Sequence, residues 1–296
     1  MRKFIASGVC GTIVAFGLSS QAAIIGHWDA AAPGANSSTT WQDHSASGYD
    51  MGAAGSAGAP VWNAGGWYDL DRGNGFVGTG DNSVFNFETE VAGAGLGTPF
   101  SIHIYQHRTS FPGGGTTGEN WVGKGPQETE NAGQWNGWLW GGNGDNAQRV
   151  DMSMQVGNNS DRMYHRIQDD DGHPAGFSDL DVMQTMTHDG SGTLAGTKQY
   201  INGLPEGITW TLDTLTANMP GSSTQNEYPL YFGWDGRGVE SGTDANVYFI
   251  EIHNTVLSDQ DVLDRWNDGS PSRVPEPGMM ALLALGGGLL WWRRSR

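Results

Sequence analysis

The chain has 296 residues and carries 15 Lys and Arg against 32 Asp and Glu, a formal net charge of −17. That balance argues against nucleic acid or an anionic membrane surface as partner, since both attract basic patches. Its 47 glycines and 12 prolines make it turn-rich, while 13 Trp, 10 Phe and 8 Tyr supply an apolar payload that disordered acidic chains lack. With Cys10 as the single cysteine, neither a disulfide framework nor a cysteine-ligated metal is expected.

Residues 1–22 read as a secretory signal peptide. Arg2 and Lys3 form a basic start, Phe4 to Leu18 is free of charge, and Ser20 and Ala22 are the small residues of a cleavage site ending at Ala22. Cys10 sits too early for a lipoprotein signal.

From residue 24 the pattern becomes that of strands. Apolar residues take every second place in Phe100-Ser101-Ile102-His103-Ile104 and from Val150 to Val156, the mark of a strand with one buried face. Shorter strands are expected at Ile24 to Trp28, Val84 to Phe87, Arg162 to Ile167, Lys198 to Ile201, Ile208 to Leu212 and Leu230 to Phe232. In the last strand, Tyr248, Ile250 and Ile252 are expected on one face and Phe249, Glu251 and His253 on the other. One helix follows, capped by Ser258 with Asp261 as reciprocal partner, striped by Val262, Leu263 and Trp266, and ended by Gly269. Many strands and one late helix predict an all-β, two-sheet antiparallel sandwich over residues 24–268, with residues 269–277 as a linker.

Val274-Pro275-Glu276-Pro277 precedes fifteen uncharged residues, Gly278 to Trp292, and Arg293, Arg294 and Arg296 close the chain. A helix of that length spans about 22 Å, short of a ~30 Å hydrocarbon core. This tail resembles the bacterial PEP-CTERM sorting signal, in which a membrane protease, exosortase, cleaves near the Pro-Glu-Pro motif. The resemblance implies export from a Gram-negative bacterium, transient inner-membrane anchoring by residues 278–296, and delivery to the cell surface or extracellular matrix. An ordinary C-terminal anchor helix is the alternative. Removing both ends takes away Arg2, Lys3, Arg293, Arg294 and Arg296 but no acid, so the remainder is more acidic still.

The string His188-Asp189-Gly190-Ser191-Gly192, followed by Tyr200-Ile201-Asn202-Gly203, resembles a central hairpin of concanavalin A-like, laminin-G-like jelly rolls. Trp41-Gln42-Asp43 with Gly48 is similar to their early segment, and Ile250 to Asn254 followed by Leu257-Ser258 to their closing strand and helix. The resemblance implies a jelly roll over nearly all of residues 24–268 and, in many relatives, carbohydrate binding. Many relatives carry an acidic pair early in the last strand where this chain has Tyr248-Phe249, so no role of those acids carries over.

Glucan-cleaving enzymes of this fold use an E-x-D-x-x-E strand, and no strand here carries that set. Asp179 with Asp181, and Glu88 with Glu90, each give two same-face acids without a third; Glu251 gives one. A G-x-S-x-G nucleophile motif is also missing, so the chain is not expected to be an enzyme, although a glycoside hydrolase stays open. Asp169 and Asp171, with Asp179 and Asp181, form the densest acidic cluster. It reads either as a calcium site or as a solvated acidic turn. The eight histidines place no H-x-x-x-H pair on an expected helix, so zinc is not expected. Trp135, Trp138 and Trp140, rimmed by Asn136, Asn143 and Asp145, read either as a platform for stacking sugar rings or as core. Trp28, Trp41, Trp62 and Trp266 are assigned to the core. The expected function is non-catalytic carbohydrate binding, to an exopolysaccharide within a biofilm; a surface adhesion protein acting by protein contacts is the alternative.

Overall fold

The computed structural model describes residues 23–32, 34, 36–55, 58–71, 73–79, 83–85, 87, 98–108, 119–124, 137–143, 149–155, 162–168, 180–191, 193–207, 210–213, 229–233 and 243–269. The signal and sorting segments lie outside them.

The chain begins with β1 (Ile24–Asp29), β2 (Thr40–Trp41), β3 (Met51–Gly55), β4 (Val61–Asn63), β5 (Trp67–Leu70) and β6 (Asn74–Gly78). Its middle holds β7 (Phe100–Arg108), β8 (Glu119–Lys124), β9 (Gly137–Asn143), β10 (Arg149–Gln155), β11 (Arg162–Gln168) and β12 (Leu180–His188). Then follow β13 (Thr197–Ile201), β14 (Leu204–Pro205), β15 (Trp210–Asp213), β16 (Leu230–Phe232), β17 (Ala245–His253) and the helix α1 (Asp259–Gly269). One sheet runs β14-β13-β12-β7-β17-β5-β4, with β1 also paired to β17; the other runs β15-β11-β10-β9-β8-β16-β6-β3-β2. Every pairing is antiparallel. The protein is therefore a two-sheet antiparallel sandwich, as the strand pattern predicted, and of the jelly-roll kind that the resemblance implied.

Alternation decides which side chains meet between the sheets. Phe100, Ile102 and Ile104 of β7 face inward with Ile250 and Ile252 of β17, against Trp121, Trp138, Trp140 and Phe232 of the other sheet. Aromatic rings fill most of this space. Trp28 packs edge-on against Phe232 at 4.8 Å, and Phe87 stacks on Phe100 at 4.2 Å. Trp28 and Trp41 are core as expected, but Trp62 is exposed on the edge strand β4, and Trp266 is half-buried on α1. The segment expected as a strand from Val84 is instead a 3-10 turn, Ser83–Phe85, which buries Phe85 and exposes Val84.

The short motifs have physical causes. The carboxylate of Asp43 is buried and accepts from the amides of His27 (2.9 Å), Ser45 (2.8 Å) and Tyr49 (2.8 Å) and from the Ser45 hydroxyl (2.8 Å). It thereby ties β1 to the loop entering β3. Asn202 and Gly203 both have positive φ, 52° and 82°, as a two-residue hairpin turn between β13 and β14 requires. A side chain at Gly203 would also press on Leu263 and Trp266, so α1 seats against this turn.

Replacing Asp43 with Ala leaves three backbone amides without their acceptor and should cost about 3 kcal/mol, read from urea denaturation. His188 is enclosed on the inner face of β12, where burial pushes its imidazole down to about 4 despite the Asp189 charge. An unfolded chain protonates that ring first as the pH falls through 6.5, so stability should fall between pH 6.5 and 4, by about 3 kcal/mol in all. His188→Gln should flatten that part of the stability profile.

Candidate functional site

The outer face of the β7-containing sheet is crossed by three rows of side chains, each set by strand register. At the open end the row is Asp69, Asn246, His107 and Asp181, from β5, β17, β7 and β12. The middle row is Phe249, Tyr105 and Met183. At the far end stand His27, Glu251, His103, Thr185 and Tyr200.

A register shift between Val247 and Phe249 makes the middle row. It is a bulge, in which the strand gains a residue and its alternation slips. Both Tyr248 and Phe249 consequently lie on the outer face, whereas strict alternation had placed them on opposite sides. Phe249 joins Tyr105, Met183, Tyr200, Leu257 and Val262 in a second apolar cluster, against which Trp266 and Tyr248 pack. Helix α1 covers that cluster, and the capping box forms as read from the sequence. The Asp261 carboxylate accepts from the Ser258 amide at 2.9 Å, and the Ser258 hydroxyl accepts from the Asp261 amide at 3.2 Å. Asp259 at the start of the helix accepts from the Tyr200 hydroxyl and the Lys198 ammonium, each at 2.8 Å.

Beyond the helix, the open end combines rings and polar groups. Trp67 and Tyr248 are half-buried, with ring centroids 6.3 Å apart and planes inclined at 65°. Asp181 accepts from the Tyr248 hydroxyl at 3.4 Å and lies 3.0 Å from His107 Nδ1. Burial and the Asp181 charge push the Tyr248 phenol up to about 12, so it stays a donor. Burial raises the Asp69 carboxyl, and Asp244 and Asp71 add to the effect. Flat rings beside fixed donors and acceptors suit a ligand with an apolar face and a hydroxylated edge.

The helix-covered end is dry and charged. Glu251 is buried and gripped by Arg265 in a fork, with Nε donating to Oε2 at 2.7 Å and an Nη donating to Oε1 at 2.6 Å. Arg265 also lies 4.4 Å from the Phe249 ring centroid. Burial pushes the Glu251 carboxyl up, but the surrounding imidazoles and the guanidinium outweigh it and hold the group well below the usual carboxylate range. His27 Nε2 stands 3.4 Å and His253 Nε2 3.8 Å from the Glu251 oxygens. His103 Nδ1 is 2.7 Å from the Thr185 hydroxyl.

The site residues expected from the sequence fall differently. Trp138 and Trp140 are fully enclosed, their indole N–H groups donating to the Phe85 carbonyl (2.8 Å) and to Gln199 Oε1 (3.3 Å). They are core, because β9 turns both toward the opposite sheet, and they offer no platform to a ligand. Asn143 ends β9, paired with Arg149. Of the expected calcium ligands Asp181 lies at the open end, engaged by His107 and Tyr248, while Asp169, Asp171 and Asp179 are outside the described residues. So are Trp135, Asn136, Asp145, Ala22 and the tail residues Val274, Pro275, Glu276, Pro277, Arg293 and Arg294. Sequence reading missed Trp67, His107, Asn246 and Asp69. The missed strand β12 would have revealed their neighbour Asp181 as an outward residue.

The sandwich is similar to the receptor-binding domain of botulinum neurotoxin mosaic serotype C/D, with a TM-score of 0.54 and 11% identity. A structure from work on botulinum neurotoxin type C, whose cell entry depends upon interaction with two ganglioside molecules, gives 0.54 and 14%. The binding domain of botulinum neurotoxin DC, in complex with rat synaptotagmin II, gives 0.54 and 15%. Each match covers 83% of this chain and 51% of the other, so the chain spans about half the length of these toxin domains. No protein-family model matches the chain, and no curated protein sequence is similar to it.

Arg265→Ala would strand the Glu251 carboxylate in a dry pocket. The expected loss is about 3 kcal/mol in urea denaturation, and Arg265→Ala with Glu251→Gln should recover part of it.

Proposed function

We propose that this chain is an exported, non-catalytic carbohydrate-binding domain that takes an exopolysaccharide at the cell surface or in the extracellular matrix. The observation that carries the reading is the open end of the outer face, where Trp67 and Tyr248 present half-buried rings beside Asp181, His107, Asn246 and Asp69. A pyranose ring lays its C–H face on an indole or phenol, and its hydroxyls meet carboxylate, amide and imidazole groups at the rim. The ganglioside dependence of a toxin that shares the fold supports the same use of the scaffold, although fold alone does not assign function.

Export rests on the sequence. Residues 1–22 supply the entry signal, and the Pro-Glu-Pro motif with its apolar tail would be cut by exosortase, leaving the sandwich outside the cytoplasm. Calcium binding by Asp169, Asp171, Asp179 and Asp181 is a further part of the proposal. Its oxygen-rich chemistry fits that ion, and Asp181 would link the metal to the sugar.

The test is affinity electrophoresis and a glycan array with the full chain, with and without chelator. Trp67→Ala and Tyr248→Ala should each weaken retention on the glycan that binds the parent by roughly tenfold, about 1.4 kcal/mol. Undiminished retention in both variants would remove this site. If the parent binds no glycan at all, the adhesion reading takes over.

A further inference from the structure

We infer that the helix-covered end of the outer face is a zinc site, with His103, Glu251 and His253 as donors and a fourth position left to water. The three donor atoms lie within 4.8 Å of one another, and all three residues are buried. A tetrahedral zinc ion with bonds of about 2.1 Å spaces its donors about 3.4 Å apart, so small side-chain rotations close the set.

The second observation is a group of buried ring nitrogens that stand near the Glu251 carboxylate without hydrogen-bonding it. His103 Nε2, both ring nitrogens of His253 and Nε2 of His27 are buried without a hydrogen-bond partner. Each such atom costs about 1–3 kcal/mol if it stays unsatisfied. Rings so placed around one carboxylate are an expensive arrangement for a core, and a borderline metal ion taking one nitrogen from each of two of them relieves part of the cost.

The surroundings are those that orient metal ligands. Thr185 occupies His103 Nδ1, which leaves Nε2 as the free donor and fixes the ring plane, the role an outer hydrogen bond plays around zinc. Arg265 takes one lone pair from each Glu251 oxygen and leaves the others facing the imidazoles, since a carboxylate has about four acceptor positions. Its positive charge weakens the pull on any hard cation, so affinity must come from nitrogen donors. That selects zinc and its transition-metal neighbours over calcium or magnesium, which want oxygen.

The order of residues explains why spacing concealed the site. Glu251 and His253 are two apart on β17, while His103 and His27 reach Glu251 through strand register from either side. His107, four residues beyond His103, sits in the open-end row instead. A metal here would clamp β7 and β17 together beneath α1.

The test is titration of the chelator-stripped full chain with Co2+, followed by displacement with Zn2+. One Co2+ per chain is expected, with the intense visible absorption of a four-coordinate site, bleached by one equivalent of Zn2+. His253→Gln replaces a ring whose polar neighbour Glu251 stands 3.8 Å away and is still held by Arg265, so the variant should fold and lose the absorption. His103→Ala should lose it too; if that variant does not fold, His253→Gln decides alone. Thr185→Val should keep the absorption but weaken binding roughly 10–100-fold. Absence of Co2+ uptake by the parent, the weak absorption of an all-oxygen six-coordinate ion, or parent-like binding by His253→Gln would each overturn the assignment.

Discussion

The architecture depends on β17. It pairs with β7 along one edge and with both β1 and β5 along the other, so strands far apart in sequence are held by a single ladder. Its inward residues Ile250 and Ile252 complete the aromatic core, and its outward residues Glu251 and His253 build the charged end of the outer face. Like β7 and β12, it contributes to the core, the helix-covered cluster and both ends of that face, and it alone among the described strands also holds β1 in the sheet. Without β17 the first strand has no partner in its sheet and α1 has no floor.

The bulge in β17 divides the outer face by chemistry. Two consecutive aromatic residues on one side of a strand, Tyr248 and Phe249, take different tasks: one looks toward the open end, the other anchors the helix. The apolar row of Phe249, Tyr105 and Met183 separates the open end from the buried Glu251, which Arg265 grips. Desolvation strengthens that ion pair and leaves the neighbouring imidazoles without solvent partners. The same row therefore divides a half-buried end from a buried, charged one on a continuous sheet.

Much of the fold was legible in the sequence because it is encoded locally. The alternation in Phe100 to Ile104 marks β7, Asn202-Gly203 marks a tight hairpin, and Ser258 with Asp261 marks a helix start. Residues 180–188 escaped notice because β12 is buried on both faces over much of its length, so polar Gln184, Thr185 and Thr187 lie enclosed and blur the alternation. Trp138 and Trp140 were ambiguous for another reason: spacing shows that two rings share a face but not which face meets the other sheet. The candidate sites were the least legible, since cross-strand register assembles them from β1, β5, β7, β12 and β17.

The pairing of β1 with β17 also has a consequence in time. A ribosome releases Ile24 long before His253, so the nascent strand must wait for its partner while nearly the whole domain is made. Such long-range closure slows folding and leaves edges unpaired meanwhile. A polypeptide that finishes its sheet last stays threadable through a narrow translocation pore for longer than one that folds hairpin by hairpin.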